Sequence, residues 1–500
     1  MHIQIRIVSL FVLLYLFSGP MYGQIREPIA ESIIKRGLSV EIREIARLPD
    51  TSRVYPSDQH RAGYARVNYV RELADGRRFA NDTRGFLYLL DRYNQPSLYL
   101  DVGAVFPLSY YDGNSAGFTG FNFHPEFSRN GLFYTAHIER AMRNPAMPDF
   151  VPPGFTPKDS NYHFIINEWR ATNPTAKVFE GSRRELLRIG NAVVAARHSL
   201  SELGFNPTAR PGDPDYGLLY IHGSDLGFAN GGGPNGNNPA QTQRLDSIVG
   251  AILRIDPRSP SESGETKGLG DYTIPPVNKF AADGDPNTLG EIYAYGFRNA
   301  QRFSWDLTDG TFFVSDIGEG NIEEINIVRE GLNYGWMRRE GYFDNGLSRP
   351  GGARSQLYAL PEDILSGERQ DEFTYPVVAY DHSEGQAVTG GFAYHGRIPE
   401  LRGKVVFGDI VRGRLFVADL AAMKAADDGI PETTAPVEEV QLYTRDASGN
   451  RTYVSFRELI EASLGATVVR ADMQISQSVS GEIYITSRQD GTIRMLGPVQ

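Results

Sequence analysis

The sequence predicts an all-β protein built as a propeller, and three observations predict it. A two-strand unit recurs along the chain: a hydrophobic strand, a Gly- or Asp-bounded turn, and a second strand. It is clearest in RRFANDTRGFLYLLD (77–91), GKVVFGDIVRGRLFVADL (403–420) and GEIYITSRQDGTIRML (481–496). Its first half recurs in GLLYIHGSDLG (217–227) and GTFFVSDIGEG (310–320). Irregular self-similarity of such a unit over a long chain marks a radial array of small sheets. Composition agrees: 53 Gly and 30 Pro cut the 500 residues into short segments, and 26 Tyr with 27 Phe favour strands. Finally, the last unit ends almost at the C-terminus, where pairing between terminal strands would close a ring and remove its edges.

Along the chain, residues 1–23 read as a signal peptide. Arg6 is a basic start, Val8 to Phe17 an apolar run too short to span a bilayer, and Ser18-Gly19-Pro20 a break before a cleavage region around Tyr22-Gly23-Gln24. Export to a periplasm or the exterior is expected, with no membrane span once the signal is removed. Cys is absent, which excludes disulfides and lipid attachment through an N-terminal Cys. Residues 24–500 read as one domain without a linker. Residues 144–157 form a Pro-rich loop. The Gly/Asn-rich stretch 227–239 is either a mobile tip or a loop bordering a site. Residues 421–472 are weakly patterned and are expected to be an insertion. Within it FRELIEASL (456–464) has apolar residues at helical spacing and predicts one short helix near the C-terminal unit. A formal net charge of −11 makes nucleic acid an unsuitable partner.

Few residues could carry chemistry. His124 fits a turn, and His137, His163 and His382 show no acid–base context. His198 lies at a strand start, and Asp225 ends the next strand-like run. In adjacent antiparallel strands the two could meet, and the carboxylate would then orient the imidazole and raise its basicity. Arg298-Asn299 forms a corner whose guanidinium fork suits carboxylate or quinone oxygens, and Arg412 sits in a similar turn. The turn from Asp316 to Glu324 joins glycines to Asp316, Glu319, Glu323 and Glu324. Oxygen-only donors select calcium or magnesium over zinc, unless the turn is simply a solvated acidic one.

Taken in order, these segments resemble the soluble quinoprotein sugar dehydrogenases of the glucose/sorbosone dehydrogenase family. The resemblance is carried by 117–137 (GFTGFNFHPEFSRNGLFYTAH), Arg197-His198, 243–257 (QRLDSIVGAILRIDP), 290–336 and 389–416. It implies a six-bladed β-propeller that uses pyrroloquinoline quinone and Ca2+ to oxidise a sugar or polyol. His198 matches the general base and Asp225 the acid that orients it. Arg298 and Asn299 match the cofactor contacts, with Arg412 a further one. Ser115 and His395 align with a glutamine and a lysine of the family's cofactor pocket. The carbonyls of Gly318 and Glu319 match those holding the cofactor-bound calcium, while Glu324, Tyr334 and Asp344 match a second, structural calcium site. The implied chemistry is proton removal by His198, hydride transfer to a quinone carbonyl polarised by calcium and Arg298, a lactone product, and re-oxidation by an external quinone or cytochrome. Arg197 stands where the glucose dehydrogenases carry an acidic residue, so the charge facing the substrate is reversed. The alternatives are a non-catalytic propeller that binds a glycan or protein, and a calcium-dependent lactonase.

Overall fold

The computed structural model describes residues 25, 28–29, 33–51, 64–108, 117–144, 146–191, 198–227, 239–346, 355–360 and 372–497. The predicted hairpins form where the Gly/Asp turns placed them. Arg78–Asp82 pairs antiparallel with Phe86–Leu90, Lys404–Asp409 with Leu415–Asp419, and Ile483–Ser487 with Thr492–Leu496. Each hairpin belongs to a four-strand run. In chain order these runs begin at Val67–Glu72, Phe118–Phe123, Leu203–Gly204, Arg302–Trp305, Val388–Ala393 and Met473–Gln477. The last two runs merge into one ten-stranded sheet.

The merger and the closure share one cause. Ser39–Arg47, from the N-terminal part of the chain, pairs antiparallel with the C-terminal strand (Ile42 opposite Leu496) and parallel with Val437–Arg445. Terminal strands thus complete the array, as the closure argument expected.

The first strands of the runs face one another. Asn68 Nδ2 donates to Thr119 O at 2.5 Å, and Asn122 Nδ2 to Leu203 O at 2.7 Å. Ser304 Oγ donates to Gly391 O at 2.6 Å, Gln477 Nε2 to Ala393 O at 2.6 Å, and Val70 N to Ser476 Oγ at 3.3 Å. Approach is so close that a Cβ on Gly120 would lie 1.7 Å from Ser201 O. Arg302, fully buried, plugs the middle of this ring: it donates to Asn68 O, Tyr69 Oη and Gln474 Oε1 at 2.7–2.9 Å and to Ile475 O at 3.3 Å. The arrangement is that of a propeller-type fold.

The helix is present at Phe456–Leu464. Ser455 Oγ accepts from Glu458 N, the Glu458 carboxylate accepts from Ser455 N, and Gly465 ends it in the left-handed conformation. Phe456 and Ile460 are its buried face. The expected insertion at 421–472 needs correcting, because Val437–Arg445 within it is the fourth strand of its run, paired with Leu415–Asp419. Residues 328–377 hold a genuine insertion: the small sheet Arg339–Glu340, Phe343–Asn345 and Leu357–Tyr358 lies between the third and fourth strands of the fourth run. The proposed signal segment lies outside the described residues. Among the described residues no helix is long and apolar enough to cross a membrane.

Candidate active site

His198 and Asp225 meet. Leu203–Gly204 and Leu219–Ile221 pair antiparallel, so the chain before the first strand and after the second reaches the same end of the ring. There the His198 Nδ1–H donates to Asp225 Oδ1 at 2.5 Å. That assignment leaves Nε2 unprotonated, the state of a general base. His198 remains partly accessible, at 14% side-chain exposure against 1% for Asp225. Burial alone would raise the Asp225 pKa. The His198 charge and hydrogen bond, the Arg298 charge and the Gly227 amide instead bring it below the usual carboxylate range.

The backbone carries this dyad to the Arg298 corner. Asp225 N donates to Arg298 O at 2.7 Å, and Ser224 bridges to Asn299. The Asp316 carboxylate accepts from Arg298 N at 2.9 Å and Asn299 N at 2.6 Å, gripping the corner from beneath. Arg298 Nη1 then donates to the carbonyls of Ile317 (3.0 Å) and Gly318 (2.6 Å). Its guanidinium lies 5.6 Å from the centre of the Trp336 ring. Three buried polar atoms at this end, Arg298 Nε, Trp336 Nε1 and Asp225 Oδ2, have no hydrogen-bond partner among the described residues. Unpaired buried donors beside an accessible base suit a polar, planar ligand.

The acidic turn is built differently from the expectation that its carboxylates face a cation. Glu340 Oε1 accepts from the backbone N–H of Glu319, Gly320, Asn321 and Ile322 at 2.9–3.1 Å. The turn's amides are spent on that carboxylate, and the Gly318 carbonyl faces Arg298. Glu340 was not singled out in the sequence, since its small hairpin gives no periodic signal.

A family model described as glucose/sorbosone dehydrogenase matches residues 68–442. The chain belongs to the glucose/sorbosone dehydrogenase family. It is 28% identical over 331 residues to the HIPL2 protein of Arabidopsis thaliana, covering 60% of this chain and 43% of that protein. It is 25% identical over 201 residues to the aldose sugar dehydrogenase YliI of Escherichia coli K12, covering 39% of this chain and 45% of that protein. The match thus spans less than half the length of these relatives. Among solved structures, the PQQ-bound aldose sugar dehydrogenase of Streptomyces coelicolor superposes with a TM-score of 0.52 at 16% identity, covering 92% of this chain and 98% of that one. The apo soluble aldose sugar dehydrogenase of Escherichia coli gives 0.54 at 15%, covering 92% and 99%. At those identities the two share the fold.

The other positions expected from the glucose/sorbosone dehydrogenase family divide. Arg412 is near the acidic turn: its guanidinium binds the carbonyls of Ser383 (2.6 Å) and His382 (3.1 Å), and His382 N donates to Asn321 O. His395 is not brought to the site. It pairs with Asp306 at 2.8 Å, beyond the far end of Arg302–Trp305 and of the six-residue strand Val388–Ala393, roughly 20 Å away by strand rise. Ser115 and Arg197 lie outside the described residues.

Glu324, Tyr334 and Asp344, expected at a second calcium site, each have partners within the protein. Glu324 is held by Asn326 Nδ2 at 3.0 Å and Gly341 N at 2.9 Å, whereas Asp344 faces a guanidinium, Arg339 Nη1, at 3.4 Å. Tyr334 stacks on Phe297 at 4.7 Å. Among the described residues no three His, Cys, Asp or Glu side chains cluster to hold a metal. Glu324 lies opposite Asp316 across the ladder. Burial raises both carboxyls above the usual carboxylate range; the Asp225 charge adds to the rise at Asp316, and the Asp316 charge to that at Glu324.

Proposed function

We propose that this chain is an exported quinoprotein dehydrogenase, a six-bladed propeller that oxidises a hydroxyl of a sugar or polyol. The observation that carries this reading is the His198–Asp225 dyad joined through Ser224–Asp225 to the Arg298-Asn299 corner, within a glucose/sorbosone dehydrogenase chain. When bound, pyrroloquinoline quinone supplies a two-electron acceptor for hydride, and calcium a Lewis acid beside it. Arg298 and Asn299 would hold the quinone, with Arg412 at the rim, and the Gly318 and Glu319 carbonyls would face the ion. The unpaired Arg298 Nε and Trp336 Nε1 fit an oxygen-rich planar group.

His198 takes the proton from the substrate hydroxyl at Nε2. Asp225 keeps the imidazole in the tautomer with Nε2 unprotonated, and stabilises the imidazolium that results. Turnover then needs an external electron acceptor. The test is dye-linked oxidation of a sugar and polyol panel by protein loaded with the quinone and calcium. His198→Ala is expected to keep the bound quinone and lose turnover. Full turnover in that variant would refute the assignment of the base.

A further inference from the structure

The ring has a second mouth, at the end opposite the His198 dyad. The first strands run from the dyad end towards this mouth, and Arg302 seals the passage between the two ends. Beyond the seal lies a cavity of about 460 Å3, within the range of small-molecule sites.

Its walls are aromatic. Phe205, Phe303, Trp305 and Phe392 come from three different runs and all line it. Phe303 and Trp305 are held edge to face at 5.4 Å, and Trp305 stacks on Phe312 at 4.6 Å, so these rings are fixed before any ligand arrives. The floor is an ion pair, Arg71 with Glu202. Glu202 is 1% exposed, yet its Oε2 accepts no hydrogen bond among the described residues; Arg302 Nε lies 3.8 Å from it. A buried carboxylate oxygen left in that state costs free energy unless a donor reaches it from the cavity. Four charged side chains line the cavity, Arg71, Arg210, Glu72 and Glu202, and their formal charges cancel. Asn122 and Gln477 add amides at the walls.

We infer that this far mouth is a second binding site, and that it takes a neutral saccharide. A pyranose ring has an apolar C–H face for the aromatic walls and hydroxyls at its edge. One hydroxyl can donate to Glu202 Oε2 while its neighbour accepts from the Arg71 guanidinium. A charged ligand would find no net counter-charge in this balanced lining, and a wholly apolar one would leave Glu202 Oε2 unpaired. The site is separate from the His198 dyad and does not depend on the oxidative chemistry proposed for it.

Calorimetry on the full chain without added quinone tests this, with glucose, galactose, maltose, cellobiose and sorbitol as probes at millimolar concentration. Binding of at least one of them is expected, and it persists in His198→Ala. Ala74→Trp and Val479→Trp add bulk at exposed positions of the mouth, so folding is spared, and each is expected to weaken binding at least tenfold. Glu202→Gln is expected to weaken it too, with retention of the thermal transition reporting an intact ring. The inference is overturned if none of the five probes binds, or if binding survives both mouth variants and is lost in His198→Ala.

Discussion

His198 holds its backbone in the left-handed region, at φ 50°, a conformation that residues with a Cβ seldom adopt. Leu226, next to Asp225, does the same at φ 51°. Strain at both shoulders of the dyad persists because its surroundings fix it: the Ser224 hydroxyl donates to the His198 carbonyl, and Gly227 N donates to Asp225 Oδ1 at 2.8 Å. Asp225→Asn is expected to lower kcat by roughly 100-fold or more while quinone affinity stays within a few-fold, because the wrong tautomer then faces the substrate. Equal losses in kcat and quinone affinity would show that Asp225 holds the pocket rather than the base. Arg298→Lys is expected to cut quinone affinity by roughly tenfold, since one ammonium cannot bridge two carbonyls and keep a planar face on Trp336. At this scale the dyad and the corner were legible in the sequence, because strand pairing alone decides that His198 and Asp225 share an end. His395 was not. Its assignment came from loose alignment, and which end of a strand a residue occupies depends on strand direction in the assembled ring. Nor was Arg339, whose guanidinium faces Asp344.

The elements show how a flexible turn becomes a fixed one. Residues 318–321 have two glycines and no regular structure, yet the four consecutive amides from Glu319 to Ile322 converge on Glu340. Glu340→Ala leaves those donors without their buried acceptor and is expected to cost about 3 kcal/mol, read as a lower denaturation midpoint. It should also weaken quinone binding, because the Gly318 carbonyl that faces Arg298 belongs to the same turn. Unchanged stability would mean that water replaces the carboxylate without cost. The hairpins and the helix at 456–464 were readable from alternation and capping. Glu340 was not, because its effect arises about twenty residues away through an inserted sheet. A second element, the strand Leu132–Arg140, buries Glu139 against His137, Asn144 and Arg188. Burial would raise Glu139, but those partners bring it down to about 2. A carboxyl depressed in the folded state adds stability above its unfolded value near 4.5 and loses it as pH falls towards 2. Glu139→Gln is therefore expected to flatten the fall in Tm across that window. A fall as steep as in the unaltered protein would contradict the assignment.

At the scale of the whole molecule, the ring depends on its termini. Ile42 is 1% exposed and lies in the strand that pairs with the C-terminal strand. Ile42→Ala is expected to cost about 2–5 kcal/mol, by denaturant unfolding, although it lies far along the chain from every site residue. Arg302 separates the His198 end of the ring from the opposite mouth. We propose that the His198 end is a quinone site. It is tested most directly by titrating the purified protein with pyrroloquinoline quinone, with and without calcium, and following the quinone absorbance. A saturable, calcium-dependent shift at one equivalent, weakened in Arg298→Lys, is the predicted result. No shift at any calcium concentration would contradict it.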